Sequence, residues 1–478
     1  MNIFVNDWID DHVDEFIQDV KKLCRVESVN GEPCGDMPFG EGAYKALKMA
    51  AFLADSYGFH VKNYNNYVCT ADFDTNLPPC LDILGHVDVV PGGSGWTVTD
   101  PFHVIEKDGY LYGRGVSDDK GPLLAALYAL RAVKEMGVEL DGNVRVIIGS
   151  DEETGSLDIK HYYAEESPAP FTFSPDAEFP VINIEKGQFR GCLKKNFNKN
   201  ESVPRVISLE AGVAVNAVPE RAVIRFEGLS EYVAEPFMKK IEKICGVKMS
   251  YDVTGKTTLT DEAASICEIT VIGKAAHASI PEDGINAGLA ALMFVQMLPL
   301  ASCEMADISR KVIELFPYGV TDGSGLGIKM GDSDSHELTC TLDIYHMDEE
   351  HAEFYFDART PVSANKENCE DIAGEAIKSA GFIWETQGMI PPHVVSKDSE
   401  FVRKLLSAYE DVTGEGGRCI AIGGGTYVHD IENGVAFGAV MPETDTHMHG
   451  ADECMEVANL VKAAKIYAEA IISIAGKL

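Results

Sequence analysis

The chain has 478 residues, of which 76 are acidic and 40 are basic, so its formal net charge is −36. At roughly 100–200 residues per domain, this length predicts two or three folding units. So negative a surface should repel nucleic acids and anionic membranes, which proteins bind mainly through lysine and arginine. The acidic N-terminal sequence lacks a signal-peptide pattern, and no long apolar run is present. We therefore expect a cytoplasmic protein with reduced cysteines and with no nucleic-acid or membrane partner.

Strand and helix patterns alternate in the first part of the chain. Apolar residues recur at helical spacing over 8–23, and a second helix is predicted over 42–57. CLDILGHVDVV (80–90) and NVRVIIGS (143–150) have the apolar runs of buried strands, and KGPLLAALYALRAVKEMG (120–137) is a strong helix between them. This alternation predicts an α/β fold with a mostly parallel sheet.

The pattern changes in the middle of the chain. Residues 189–388 alternate apolar and polar positions more often and contain fewer long helices, which predicts an inserted α+β domain. The α/β pattern returns near residue 398 and continues to the last helix. We therefore predict an α/β domain in two segments, 1–188 and 389–478, with the domain 189–388 inserted between them.

Acidic and imidazole side chains follow the predicted strands. Ligands of open α/β sheets bind beyond the carboxyl ends of the strands. Each such residue alone has an ordinary explanation as a surface turn or a helix start, but their coincidence points to metal. Crowded carboxylates repel unless they are protonated or bridged by cations, and imidazole with carboxylate suits zinc, or else manganese or cobalt. The candidates are His86, Asp88, Asp118, Asp119, Asp151, Glu152, Glu153, Asp176, Asp445, His447 and His449.

Two spacings add chemistry to this set. His86 and Asp88 are two residues apart, so on an extended chain they point the same way, and Asp88 can accept the ring N–H of His86. Glu152 and Glu153 are adjacent and point in different directions, so one can bind a metal while the other acts as a base. This division predicts metal-assisted hydrolysis.

Several segments resemble a known family. LGHVDVVPGGSGWTVTDPF, YGRGVSDDKGP, GSDEETGS, SPDAEFPV, EKG and GGGTYVHDIENGVAFG are similar, in order and spacing, to PepV-type dipeptidases of the di-zinc superfamily that includes aminoacylase, carnosinase and succinyl-diaminopimelate desuccinylase. The resemblance covers essentially the whole chain and is weakest in 189–388. It implies a mostly parallel-sheet α/β catalytic domain with an inserted α+β lid. The length of that lid favours a monomer.

The resemblance implies a ligand set for two zinc ions per chain, with manganese or cobalt as alternatives. Asp118 would bridge the two ions. His86 and Asp176 would complete one site, and Glu153 and His449 would complete the other.

The resemblance also implies roles around the metals. Glu152 would be the general base, and Asp88 would orient the first histidine ligand. A cis peptide would precede Asp119, whose carboxylate either serves that turn or receives a substrate amine. His447 is a rival to His449, which we prefer because HGADE fits the family's ending.

Further residues match substrate-binding positions of the family. His277 would help to hold the oxyanion, and Asn216 and Arg359 would help to hold the substrate. Arg359 could instead form a salt bridge within the inserted domain, and Asn216 could be a turn residue. The substrate carboxylate would also meet the backbone of Gly424, Gly425 and Thr426.

Together these features predict a metal-dependent dipeptidase that cleaves Xaa-Xaa peptides with a free amino end. His429 stands where the family usually has arginine, and Glu443 lies in a turn that is usually glycine-rich, so the side-chain preference stays open. One alternative is an N-acyl-amino-acid amidohydrolase or carboxypeptidase that uses the same site. Another is a catalytically silent peptide- or metal-binding protein, which would be expected to lack the base or a ligand, whereas none is lost here.

Overall fold

The structure is a computed structural model, and it describes residues 2–199, 202–257, 264–300 and 304–477. The chain forms two compact units. Unit 1 comprises Met1–Glu185, His393–Ala421 and Gly425–Leu478, and unit 2 comprises Lys186–Pro392 and Ile422–Gly424. The described residues contain no helix with the length and apolar character needed to span a lipid bilayer.

The boundaries of unit 2 lie slightly outside 189–388. The reason is the pairing of two strands, Gly187–Asn196 and Ile383–Ile390, which run antiparallel with Gln188 opposite Ile390. Hydrogen bonding between their ends draws residues 186–188 and 389–392 into unit 2.

The central sheet of unit 1 is mixed and has a parallel centre. Its four middle strands pair in parallel, and the outer strands are antiparallel. The α/β fold class is therefore confirmed, with parallel pairing confined to the centre of the sheet. In spatial order the strands are His60–Tyr64, Val68–Asp72, Asn143–Gly149, Pro79–His86, Phe171–Ser174, Gly434–Ala436, Val181–Glu185 and His393–Val394, with Cys419–Ile422 beside Val181–Glu185.

The helices of unit 1 pack around this sheet. They are Ile3–Asp11, Val13–Cys24, Gly40–Ser56, Lys120–Glu135, Leu157–Tyr163, Glu400–Thr413 and Val457–Ala475. The helix Lys120–Glu135 is buried on nearly every face, as its apolar sequence predicts. The helical pattern over 8–23 is divided at His12, whose ring stacks on Trp8 and whose Nδ1 lies 2.7 Å from the carbonyl oxygen of Trp8.

Two small sheets of unit 1 join distant segments. Tyr110–Tyr112 pairs with both Ile105–Lys107 and Cys454–Glu456, and Ala177–Glu178 pairs with Ala439–Val440. The first of these sheets therefore ties a segment near residue 110 to one near the C-terminus.

Unit 2 has its own core and an antiparallel sheet, as expected for an α+β domain. In spatial order the strands are Lys248–Thr257, Ala264–Ile272, Arg221–Glu227, Arg205–Ala211, Thr339–Met347, His351–Thr360, Gly187–Asn196 and Ile383–Ile390. The helices are Glu231–Cys245, Ala287–Met297, Glu304–Leu315 and Asp371–Ser379. A short ribbon pairs Ala217–Val218 with Ala276–His277.

Two neighbouring residues on one helix test the position of the core in unit 1. Leu53 is 3% exposed within the core, whereas Phe52 is 66% exposed. Leu53→Ala should lower the free energy of unfolding by about 2–5 kcal/mol, because it leaves a cavity. Phe52→Ala should change it by less than about 0.5 kcal/mol. Urea-unfolding midpoints measure both, and equal effects would contradict this assignment of the helix faces.

Candidate metal centre

The ends of three neighbouring parallel strands supply side chains to one edge of the sheet in unit 1. His86 is the last residue of Pro79–His86, and Asp176 follows Phe171–Ser174 by two residues. Glu152 and Glu153 lie in the turn after Asn143–Gly149. Since parallel strands end at the same edge, the topology alone brings these residues together.

Asp118 lies between two histidines. Its Oδ1 is 3.1 Å from His86 Nε2, and its Oδ2 is 2.8 Å from His449 Nε2. Asp176 Oδ2 lies 3.5 Å from His86 Nε2, and Glu153 Oε2 lies 3.3 Å from His449 Nε2. The result is two groups of potential ligands that share one carboxylate, and within each group the ligand atoms lie within 4.8 Å of one another.

The side chains in these groups fit divalent metal ions. The Nδ1 of His86 is 3.1 Å from the carbonyl oxygen of Asp88, an atom that can only accept, so Nδ1 carries a proton and Nε2 is the ring nitrogen available to a metal. His86 Nε2 and Glu153 Oε1 are buried without a hydrogen-bond partner among the described residues. Buried polar atoms are rarely left in this state, and imidazole with carboxylate is a donor set typical of zinc.

The pKa values reflect the crowding of carboxylates. Burial raises the pKa of Asp118, but His449 and His86 outweigh it, so the net shift is downward. Burial and the charge of Asp118 raise the pKa of Asp176. Contacts with Asp118 and Glu153 raise the pKa of His449 to about 11. The protein groups alone thus balance their charge by holding protons, and bound cations would take over that role.

Asp88 contacts the turn of the two glutamates as well as the ring of His86. Its carboxylate accepts the backbone N–H groups of Glu152 (3.2 Å) and Glu153 (3.1 Å). Its Oδ1 is 3.4 Å from His86 Nδ1, and the backbone carbonyl oxygen of Asp88 is 3.1 Å from the same nitrogen. The role of Asp88 in orienting His86 therefore stays a prediction, and its carboxylate in addition holds the turn of the two glutamates.

Asp119 is completely buried. The expected cis peptide bond links it to Asp118. Its Oδ2 accepts the backbone N–H of His86 at 3.0 Å, and burial, together with the nearby Asp176, raises its pKa well above the ordinary range. This placement favours the turn role and argues against contact with a substrate amine.

His447 joins neither ligand group. Its Nε2 lies 3.6 Å from Asp445 Oδ2 in the same loop. His449 therefore takes the position that the sequence left open between these two residues.

A model of peptidase family M20/M25/M40 matches residues 83–473, which is most of the chain. The chain belongs to this family. This M20 metallopeptidase is 32% identical over 472 residues to the Bacillus subtilis protein named "Putative dipeptidase YtjP", with 97% of each chain covered. The expected family is thereby confirmed.

Solved structures show the same fold at lower identity. Human carnosine dipeptidase 1 superposes with a TM-score of 0.59 at 16% identity, covering 98% of each chain. The dipeptidase Dug1p of Saccharomyces cerevisiae superposes with a TM-score of 0.56 at 16% identity, covering 99% of this chain and 98% of that one.

Asn216 and His277 of the M20 peptidase lie close together in unit 2. The short ribbon brings the backbone N–H of Ala278 to 2.9 Å from the carbonyl oxygen of Asn216. The Nδ1 of His277 lies 2.6 Å from Ser279 Oγ. Both residues thus belong to one turn region of this unit.

Arg359 forms the salt bridge that the sequence left as an alternative. Its Nε and Nη2 donate to the two carboxylate oxygens of Asp357, at 2.6 and 3.2 Å, and its Nη1 donates to the carbonyl oxygen of Gly423 at 2.7 Å. These bonds use three of the five N–H donors of the guanidinium, so two donors are left for another partner.

Glu185 organises the glycine-rich segment, and sequence reasoning missed it. Its Oε1 accepts both the backbone N–H (3.1 Å) and the hydroxyl (2.8 Å) of Thr426, and its Oε2 lies 3.0 Å from His429 Nδ1. The amide of Thr426 is thus already bonded, and of the three residues expected to meet a substrate carboxylate, Gly424 belongs to unit 2 while Gly425 and Thr426 belong to unit 1. Glu185 is the first residue of the EKG segment, which resembles the family but received no role in the sequence analysis.

Asp158 anchors the turn that carries Glu152 and Glu153. Its Oδ2 accepts the backbone N–H groups of Ser150 (2.5 Å) and Asp151 (3.0 Å) and the hydroxyl of Tyr427 (2.5 Å). Burial outweighs these bonds and raises the pKa of Asp158 from 3.8 to about 7.

The pKa of Asp158 predicts a pH dependence. Because the folded-state pKa is raised, the carboxyl stabilises the fold while it is protonated, and this contribution is lost as the pH rises through about 7. Asp158→Asn stays neutral, so its stability relative to wild type should rise between about pH 5 and about pH 8. Urea midpoints at both pH values measure this difference, and Glu432→Gln, at an exposed position, is the control. A constant difference for Asp158→Asn would contradict the shift.

Proposed function

We propose that this M20 peptidase hydrolyses dipeptides with a free amino end, using two zinc ions. The observation that carries the proposal is the position of Asp118, whose two oxygens face His86 and His449 at 3.1 and 2.8 Å. A carboxylate shared between two imidazole-containing groups is suited to a two-metal site. A cytoplasmic location, in keeping with the sequence, is part of the same proposal.

The proposed ligands divide into two sets around Asp118. His86 and Asp176 would hold one ion, and Glu153 and His449 would hold the other. When bound, two zinc ions would act as Lewis acids towards the substrate carbonyl and the attacking water.

Glu152 is the proposed general base. Its backbone N–H is held by Asp88, which fixes the start of the side chain beside the ligand groups. Burial is the largest cause that raises the pKa of Glu152 well above its ordinary range. The charge of His86 opposes this shift, and the charge of Asp176 adds to it. Two bound cations would lower this pKa again, so that the carboxylate could take a proton from water and pass it to the departing amine.

The family pattern suggests the remaining roles. His277 is proposed to stabilise the oxyanion, and Asn216 and the two unused donors of Arg359 are proposed to bind the substrate. A guanidinium is planar, and its remaining donors suit recognition of a carboxylate.

A second candidate follows from the burial of Asp119. This residue was one acid expected to meet a free amino end, and it is fully buried. An amidohydrolase that acts on N-acylated amino acids would not need such a contact. The name of the Bacillus subtilis relative supports the dipeptidase instead.

A substrate panel separates these candidates. Dipeptides with free amino ends should be hydrolysed at least about tenfold faster, as kcat/KM, than the same dipeptides with acetylated amino ends, and chelator should abolish both activities. Faster cleavage of the acetylated substrates would favour the amidohydrolase. Activity that survives complete removal of metal would overturn the metal-dependent mechanism.

Adjacent glutamates offer a matched test of the general base. Glu152→Gln should lower kcat by about 10²- to 10⁴-fold while both metals stay bound, because it removes the proton acceptor but no proposed ligand. Glu153→Gln should weaken metal binding instead. Metal content and kcat are measured on both variants. Near-normal turnover by Glu152→Gln would defeat its assignment as base.

A further inference from the structure

Glu453 is a buried carboxylate outside both ligand groups. It is fully buried, and its Oε1 accepts three hydrogen bonds, each 3.0 Å long. The donors are the backbone N–H groups of Gly115 and Ser117 and the hydroxyl of Ser117. Glu453 thus holds the two residues of the loop that lead directly to Asp118.

Arg114 joins this carboxylate to the opposite loop. Its Nη1 is 2.6 Å from Glu453 Oε2. Its Nη2 donates to the carbonyl oxygens of His449 (3.2 Å) and Gly450 (3.1 Å). The guanidinium, 2% exposed, is therefore bonded to the backbone of a proposed metal ligand.

The His449 loop is also held at Asp452, whose carboxylate accepts hydrogen bonds from the backbone of Thr97 and Val98. His449 is itself half-exposed, and its φ of +61° lies in the left-handed region, which is unfavourable for residues with a side chain. The nearest regular element is Cys454–Glu456, which pairs with Tyr110–Tyr112 and so aligns the same two loops. The backbone bonds from Arg114 continue that alignment up to His449 itself.

We infer that Arg114 and Glu453 form a brace that positions His449 opposite Asp118. The inference rests on the proposed function, because it concerns one of the two proposed metal positions. Residues that hydrogen-bond to metal ligands set the orientation of those ligands, and the loss of such a residue lowers metal affinity by about 10- to 100-fold. Through Arg114 the brace acts on His449, a proposed ligand of one ion only, whereas His86 and Asp176 of the other group are held by the ends of strands. Its loss should therefore weaken the metal position of Glu153 and His449 more than the position of His86 and Asp176.

Metal titration of the full-length chain tests the brace. Wild type, Glu453→Gln and Arg114→Lys are loaded with zinc, and the bound zinc per chain is measured against increasing chelator. Wild type should release its two ions at similar chelator concentrations, whereas Glu453→Gln should release one of them at about 10- to 100-fold less chelator. Arg114→Lys should behave in the same way, because one ammonium cannot reach Glu453 and both carbonyls at once. If Glu453→Gln does not fold, Arg114→Lys provides the test instead.

A double variant separates positioning from a general loss of stability. If Glu453 acts through His449, then Glu453→Gln should add nothing to the loss of metal already caused by His449→Gln. Asp82→Asn is the matched control, since it breaks a buried two-bond pair with Arg145 (2.9 and 2.8 Å) in the same unit. It should lower stability and leave zinc affinity unchanged.

The outcomes distinguish the brace from the function on which it rests. If wild type binds fewer than two zinc ions, the proposed two-metal function fails. If wild type binds two and both Glu453→Gln and Arg114→Lys retain them with wild-type affinity, only the brace is overturned. Additive losses in the double variant, or an equal loss in Asp82→Asn, would also overturn it.

Discussion

The arrangement of the candidate centre depends on a single carboxylate. Asp118 faces a histidine with each of its oxygens, and both contacts are close to hydrogen-bonding distance. One histidine is carried by a strand end and the other by an irregular loop near the C-terminus. The chain therefore has to bring segments more than 300 residues apart to within a few ångströms of one turn. The contacts of unit 1 near this turn, including the pairing of Tyr110–Tyr112 with Cys454–Glu456, hold these distant segments together.

The parallel centre of the sheet explains why part of this arrangement was predictable. Parallel strands deliver their following residues to one edge, so an apolar run that ends in His86, or in the turn of Glu152, already implies a shared location. The family resemblance supplied the order of the ligands, which local patterns do not contain. The outer antiparallel strands were not predicted, because their short or apolar segments carry no signal of strand direction.

The parts that sequence reasoning missed are long-range contacts between polar groups. The carboxylate of Asp88 was expected near the ring of His86 from their spacing, but its bonds to backbone N–H groups more than 60 residues away were not expected. Glu185 and Thr426 are 241 residues apart. Neither contact leaves a periodic pattern in the sequence. The burial of Asp119 was equally invisible, because an acidic pair in a glycine-rich turn looks the same whether it faces solvent or the core.

Some buried acids of unit 1 have several backbone donors and others have few, and this difference indicates where cations belong. Asp88, Asp158 and Glu453 are fully buried, yet each accepts two or more backbone N–H groups, so fixed dipoles offset part of the cost of burying a charge. The carboxylates around His86 and His449 face one another and the imidazoles, with fewer such donors. Their charge must be balanced by protons or by metal ions. Beside the two imidazoles, a buried carboxylate with few backbone donors is therefore a better indication of a ligand than its place in the sequence.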